Sequence, residues 1–157
     1  MMQTMLAQIV ADEYRSLMLV SESDAAEKRP TGGWTRKQEL GHLIDSAANN
    51  HNRIVRAALD GEYSGPGYEQ DRWVDLHGYA GLPWLRIVNF WRDYNLLLAD
   101  VIERVSIEAL VSACMISGAP PVTLGYLIED YIVHMRHHVD HVLDRKQITP
   151  YPQLPPR

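Results

Sequence analysis

The chain has 157 residues, 46% hydrophobic and 22% charged, a balance that excludes a disordered polymer and fits one compact domain. A formal charge of −5 argues against a dedicated nucleic-acid binder, and a single cysteine, Cys114, excludes a disulfide framework and a cysteine-rich zinc module. No apolar run approaches the roughly 20 residues that cross a bilayer, and Met1-Met2-Gln3-Thr4-Met5 lacks the features of a signal peptide, so a soluble, cytoplasmic chain without membrane contact is expected.

Four segments read as helices. The first covers about residues 3–20, with Met5, Leu6, Ile9, Val10, Leu17 and Met18 at helical spacing. Pro30 and the Gly32-Gly33 pair break the chain that follows. Thr35 is a good N-cap for a second helix to about residue 59, where Asp60-Gly61 ends it. Residues 62–82 read as a long connection, but Tyr63, Tyr68, Trp73 and Tyr79 predict that it packs over the bundle and covers a site. The third helix, residues 84–105, places Trp84, Ile87, Val88, Trp91, Leu98 and Ile102 on one stripe, with Pro83 at its start. After a second connection over residues 106–122, a fourth helix runs over about 123–145, and a proline-rich tail, 150–157, is expected to be extended. There is no internal repeat and no convincing strand run. Four amphipathic helices with long connections predict an all-α four-helix bundle filling residues 1–157 as one domain.

The seven histidines are unevenly spread: His134, His137, His138 and His141 share eight residues. Side chains four apart on a helix lie one turn apart and can converge on one ion, a condition that both His134/His138 and His137/His141 meet. The apolar stripe of the fourth helix is Leu124, Ile128, Ile132, Met135, Val139, Val142 and Leu143. At about 100° per residue, His134 and His138 sit at its margin, His137 projects into the polar side and His141 is intermediate. A ligand that faces another helix belongs at such a margin, so geometry favours His134 and His138. The plainer alternative is a solvated cluster. His-Met-Arg-His-His lacks the glutamate of the zinc-protease helix, which leaves that mechanism unsupported.

His42 is the best candidate for a third ligand. Asp45, Asn49 and Arg53 follow it at helical offsets, opposite the apolar Leu43, Ile44, Ala47, Ile54, Val55 and Ala58. Periodicity by itself favours a solvent-facing stripe; the sharper reading is a polar cleft with an ion at one end. Three neutral imidazoles with open positions suit a catalytic divalent ion, zinc or nickel foremost, with iron compatible.

Trp34-Thr35-Arg36-Lys37-Gln38-Glu39-Leu40-Gly41-His42-Leu43-Ile44-Asp45-Ser46 resembles the second-helix signature of the DinB/YfiT-like superfamily. His134-Met135-Arg136-His137-His138 resembles its C-terminal motif, in which the first and last histidines are ligands. Gly67-Tyr68-Glu69-Gln70-Asp71-Arg72-Trp73 is similar to a segment of the YfiT-like branch. The order and spacing of helices match over nearly the whole chain. The resemblance implies a four-helix bundle with a three-histidine metal site on His42, His134 and His138, and a homodimer. It also implies a metal-dependent hydrolase, or a transferase using a low-molecular-weight thiol such as bacillithiol or mycothiol, acting on a small molecule. Asp45, Asn49 and Arg53 match residue types of that branch. His137 and His141 depart from its pattern and leave another ligand register open.

An ion held by three imidazoles lowers the pKa of bound water or holds a thiol as thiolate, giving hydrolysis in one case and conjugation or transfer in the other. Asp45 can accept a proton or orient a ligand, and Asp130, one turn before His134, can support an imidazole N–H. Arg53, beside Asn49, can bind an anionic substrate group, and Trp73 with Tyr68 and Tyr63 can wall the pocket. Each of these has a plainer role, as helix solvation, surface charge or loop anchor. Cys114 has no base or cation beside it in sequence and reads as a small packed residue; Trp84 and Trp91 read as core or dimer interface. A different class of function is a non-catalytic metal-binding stress-response module. Haem ligation by paired histidines ranks below both, since nothing else marks a tetrapyrrole pocket.

Overall fold

The structure, a computed structural model, describes residues 2–29 and 33–151. Pro30, Gly32 and the tail beyond Tyr151 lie outside the described residues. The elements in order are α1 (Met2–Met18), α2 (Glu22–Ala26), α3 (Arg36–Asp60), β1 (Glu62–Gly65), α4 (Gln70–His77), α5 (Trp84–Glu103), β2 (Ala113–Ile116), β3 (Val122–Thr123) and α6 (Leu124–Val142). The four long helices are the expected ones, and they form a four-helix bundle in which α5 packs on α1 and α3, and α3 packs on α6. No helix among the described residues is long and apolar enough to cross a membrane.

Local chemistry fixes the ends of α3. The Thr35 hydroxyl accepts from the Gln38 amide at 3.3 Å while Gln38 Oε1 accepts from the Thr35 amide at 3.0 Å, a reciprocal capping box. Gly61 closes the helix at φ 80°, a left-handed conformation that costs a residue with a Cβ. The apolar stripes of the helices meet in one cluster that includes Trp84, Trp91, Leu43, Ile54, Ile128 and Met135, each at most 1% exposed. Trp84 and Trp91 are therefore core of the chain itself, and the Trp84 indole donates to the Leu17 carbonyl at 3.0 Å.

The two connections hold structure that the pattern did not predict. Residues 62–82 contain a strand, a helix and a 3-10 turn, Tyr79–Gly81, rather than one long loop. β1 pairs in parallel with β2 and β2 antiparallel with β3, in register Tyr63↔Cys114↔Val122, so the expectation of no strands is corrected. Strands of two to four residues are too short to show a period of two. Cys114 is buried on the central strand, as the packed residue it reads as. Because β1 follows α3 and β3 leads into α6, the sheet ties the end of α3 to the start of α6. The two helices thus run antiparallel, with the start of α3 beside the end of α6.

Gly41 of α3 has a specific reason to be glycine. A Cβ there would lie 2.2 Å from the Tyr79 ring, which rests on the bare helix backbone. Gly41→Ala is expected to displace that ring and cost about 1–3 kcal/mol, measured as a shift in urea midpoint; an unchanged midpoint would show that Tyr79 is not docked there. Thr35→Ala should cost about 1 kcal/mol in the same assay through the lost cap.

Candidate metal centre

The antiparallel pairing of α3 and α6 brings His42, near the start of one, against His134 and His138, near the end of the other. One ring nitrogen from each lies within 4.8 Å of the others. The ε-nitrogens of His42 and His134 face each other at 3.4 Å, and the His42 and His138 ring centroids are 4.8 Å apart. Two nitrogens about 2.0–2.1 Å from a tetrahedral ion are separated by about 3.3–3.4 Å, so the observed spacing fits one shared ion.

The surroundings suit ligands. His42 is fully buried under Trp34, whose ring centroid is 5.0 Å away, and its Nδ1 is buried with no partner among the described residues. Burial, aided by the nearby His138, pushes the His42 pKa down to about 3. Burial also dominates at His134, where His138, His42 and His137 add to it and the pKa falls to about 2. Both rings are therefore neutral at physiological pH, the form that offers a lone pair. His138 Nδ1 lies 3.0 Å from Glu39 Oε1, so Nδ1 carries the proton and Nε2 is left free. The other Glu39 oxygen pairs with Arg29 at 2.8 Å. A carboxylate behind a histidine is the usual support of a metal ligand. Glu39 escaped the sequence reading, although its place three residues before His42, on the same helix face, was a usable signal.

The remaining residues divide into two groups around α3. Asp45 is 2% exposed and turned toward the Tyr79–Gly81 turn: Tyr79 Oη donates to its Oδ1 at 2.7 Å and His77 Nδ1 lies 2.9 Å from the same oxygen. Burial raises the Asp45 pKa against these two partners. Asp45, His77 and Tyr79 join Trp73, Phe90 and Tyr94 around an open cavity of about 860 Å³. Trp73 sits on α4, its ring 5.1 Å from Tyr68 and 5.9 Å from His77. On the other side, Arg53 is 7% exposed, with Nη2 donating to the Pro66 carbonyl at 3.3 Å and Nη1 3.5 Å from Asn50 Oδ1. Asn50, not Asn49, stands beside it. Asn49 folds back and donates to the Asp45 carbonyl at 2.9 Å. Tyr68, hydrogen-bonded to Ser46, senses the charges of both Asp45 and Arg53, and burial first of all pushes its pKa up to about 12.

The polar stripe of α3 is thus an inward face: His42, Asp45, Ser46, Asn50 and Arg53 are all buried. A solvent-facing stripe is excluded. Asp130 accepts from Tyr151 Oη at 3.0 Å, and the Tyr151 ring packs edge-on against His134 with centroids 5.1 Å apart. Residues 143–151 fold back over α6 and cover His137 as well, whose Nδ1 meets the Thr149 carbonyl at 2.8 Å. His137 is therefore half-buried rather than solvated.

No family model and no curated protein matches the sequence. Solved structures match it in shape. YfiT from Bacillus subtilis, described as a probable metal-dependent hydrolase with an unusual four-helix bundle topology, superposes with a TM-score of 0.82 at 18% identity, over 92% of this chain and 85% of that one. The mycothiol-dependent maleylpyruvate isomerase and a mutant of it give TM-scores of 0.70 and 0.71 at 18% and 17% identity, over 98% of this chain. The chain spans 63% of the length of that isomerase. At these identities the likeness is one of architecture, and the chain shares the four-helix-bundle topology of YfiT.

Proposed function

We propose that this chain is a divalent-metal-dependent enzyme acting on a small anionic molecule, with His42, His134 and His138 holding the ion through their ε-nitrogens. The observation that carries the reading is the convergence of three ring nitrogens, one on the buried ring of His42, one on the half-buried ring of His134, and the third on His138 backed by Glu39. Zinc and nickel suit three imidazoles best, with iron compatible. Such an ion, when bound, supplies Lewis acidity that lowers the pKa of a coordinated thiol or water. Glu39 fixes the His138 tautomer, and Trp34 shields His42 from solvent. Arg53, whose hydrogen bonds among the described residues go to the Pro66 carbonyl and the Asn50 amide oxygen, holds the anionic group of the substrate.

Between the two chemistries, thiol transfer is the better supported. The nearby carboxylates do not separate the two. Glu39 is held by His138 and Arg29, and Asp130 accepts from Tyr151. Asp45, bonded through Oδ1 to Tyr79 and His77, keeps Oδ2 without a partner among the described residues. A thiol starts at a pKa of about 8.5 against about 15.7 for water, so an ion would bring it to its reactive anion more readily. The mycothiol dependence of the isomerase that shares the fold agrees with this, and YfiT keeps hydrolysis as the second reading. A homodimer and a cytoplasmic location belong to the same proposal.

Untagged protein is expected to bind a tight zinc or nickel ion that His42→Ala, His134→Ala or His138→Ala each removes, read by elemental analysis after dialysis. Glu39→Gln should retain the ion with about 10–100-fold lower affinity. With bacillithiol, mycothiol or glutathione and an anionic electrophile, conjugation should depend on the metal. Arg53→Met should raise KM about 10–100-fold with little change in kcat; hydrolysis without any thiol would favour the second reading.

Removing the ion also exposes a pH dependence. His42 and His134 titrate near 6.5 when unfolded but only near 3 and 2 in the fold, so the unfolded chain binds more protons between those values. Stability of the metal-free protein should therefore fall as pH drops below about 6.5, by up to about 1.4 kcal/mol per pH unit for each ring. Urea midpoints of chelator-treated protein between pH 7 and 4 measure it, and a flat profile would contradict neutral rings.

A further inference from the structure

The four histidines of α6 form two pairs, and one of them stands outside the three-histidine cluster. In that pair the ε-nitrogens of His137 and His141 face each other at 3.2 Å, with ring centroids 4.6 Å apart. The separation again matches two nitrogens on one ion at about 2.0–2.1 Å. A carbonyl oxygen only accepts, so the Thr149 contact at 2.8 Å puts the His137 proton on Nδ1 and leaves Nε2 as a lone pair.

That support is built into the fold. The Thr149 amide and hydroxyl donate to Asp140 Oδ2 at 2.7 and 2.6 Å. Arg145 Nη1 donates to Asp140 Oδ1 at 2.8 Å, and Arg145 Nη2 reaches Glu13 of α1 at 2.5 Å. Burial works against the Asp140 charge, yet the bonds from Thr149 and Arg145 keep its carboxyl below the usual range. The chain from Glu13 through Arg145, Asp140 and Thr149 therefore fixes the tautomer and tilt of His137. This is the backing through a carbonyl that metal-ligating histidines use.

We propose that His137 and His141 form a second metal site, separate from the three-histidine cluster, that takes one copper(II), nickel(II) or zinc(II) ion. Without an ion, His141 Nε2–H donates to His137 Nε2. On binding, the His141 proton moves to Nδ1, both ε-nitrogens turn their lone pairs to the ion, and water fills the remaining positions. Two imidazoles bind more weakly than three, and copper binds most tightly in the order of first-row divalent ions. His138 lies between the pairs, its ring 5.3 Å from His137 and 4.5 Å from His134, so an ion in one site repels an ion in the other and the two fill in sequence.

The test is a zinc(II) titration of the untagged, metal-free full chain by calorimetry, with far-UV circular dichroism to check that each variant is folded. The wild type should show two steps, the second at least about tenfold weaker. His141→Ala and His137→Ala should abolish the weak step and keep the tight one, and His141→Gln, which retains volume and a hydrogen-bonding group, should do the same. His134→Ala should lose the tight step and keep the weak one. Saturation of the wild type at one equivalent that His141→Ala leaves unchanged, or a weak step that survives in His141→Ala and His141→Gln, would overturn the second site. A weak step that depends on His141, without a tight step that depends on His134, would support it and overturn the three-histidine reading instead.

Discussion

The rest of the fold is arranged around one helix face that is both polar and buried. Along α3, His42, Asp45, Ser46, Asn50 and Arg53 point inward, and Glu39 joins them at 7% exposure. A buried polar group without a partner costs about 1–3 kcal/mol, more if charged, so each of these side chains constrains what can lie opposite. Tyr79 and His77 answer Asp45, the Pro66 carbonyl answers Arg53, and His138 with Arg29 answers Glu39. The connection over residues 62–82 and the C-terminal half of α6 are thus held in place by what α3 requires. His42 Nδ1 and Asp45 Oδ2 are buried polar atoms without a partner among the described residues, and both belong to this face.

Two consequences follow for chemistry. Opposing α3 and α6 keeps the rings of His42 and His134 neutral, which favours a cation over a proton between them. Asp45 lines the aromatic cavity and Arg53 does not, while Tyr68 is close enough to sense the charge of both.

The parts of this arrangement visible in the sequence are those set by neighbours on one helix. Thr35 announces its cap, the stripes of α5 and α6 announce their buried sides, and the spacing of His134 and His138 announces a shared face. The remaining parts depend on long-range pairing. β1, β2 and β3 are too short to leave a pattern, and α4 hides among aromatic and glycine residues that resemble a loop. The polar stripe of α3 has the same periodicity whether it faces water or α6; only the partners on α6 and in the Tyr79–Gly81 turn decide it. Asn49 and Asn50 both donate back to their own helix, to the Asp45 and Ser46 carbonyls, yet it is Asn50 that is buried, with Oδ1 3.5 Å from Arg53 Nη1. His137 looks solvated on a helical wheel because the wheel omits residues 143–151, which return to cover it.

The central claim is that three imidazole ε-nitrogens, one from α3 and two from α6, share one ion. X-ray absorption at the edge of the metal in untagged protein, loaded with one equivalent, reads this directly. The account predicts nitrogen scatterers near 2.0–2.1 Å with the multiple scattering of three imidazoles, reduced to two in His42→Ala. A spectrum with two imidazoles in the wild type, unchanged by His42→Ala, would contradict it.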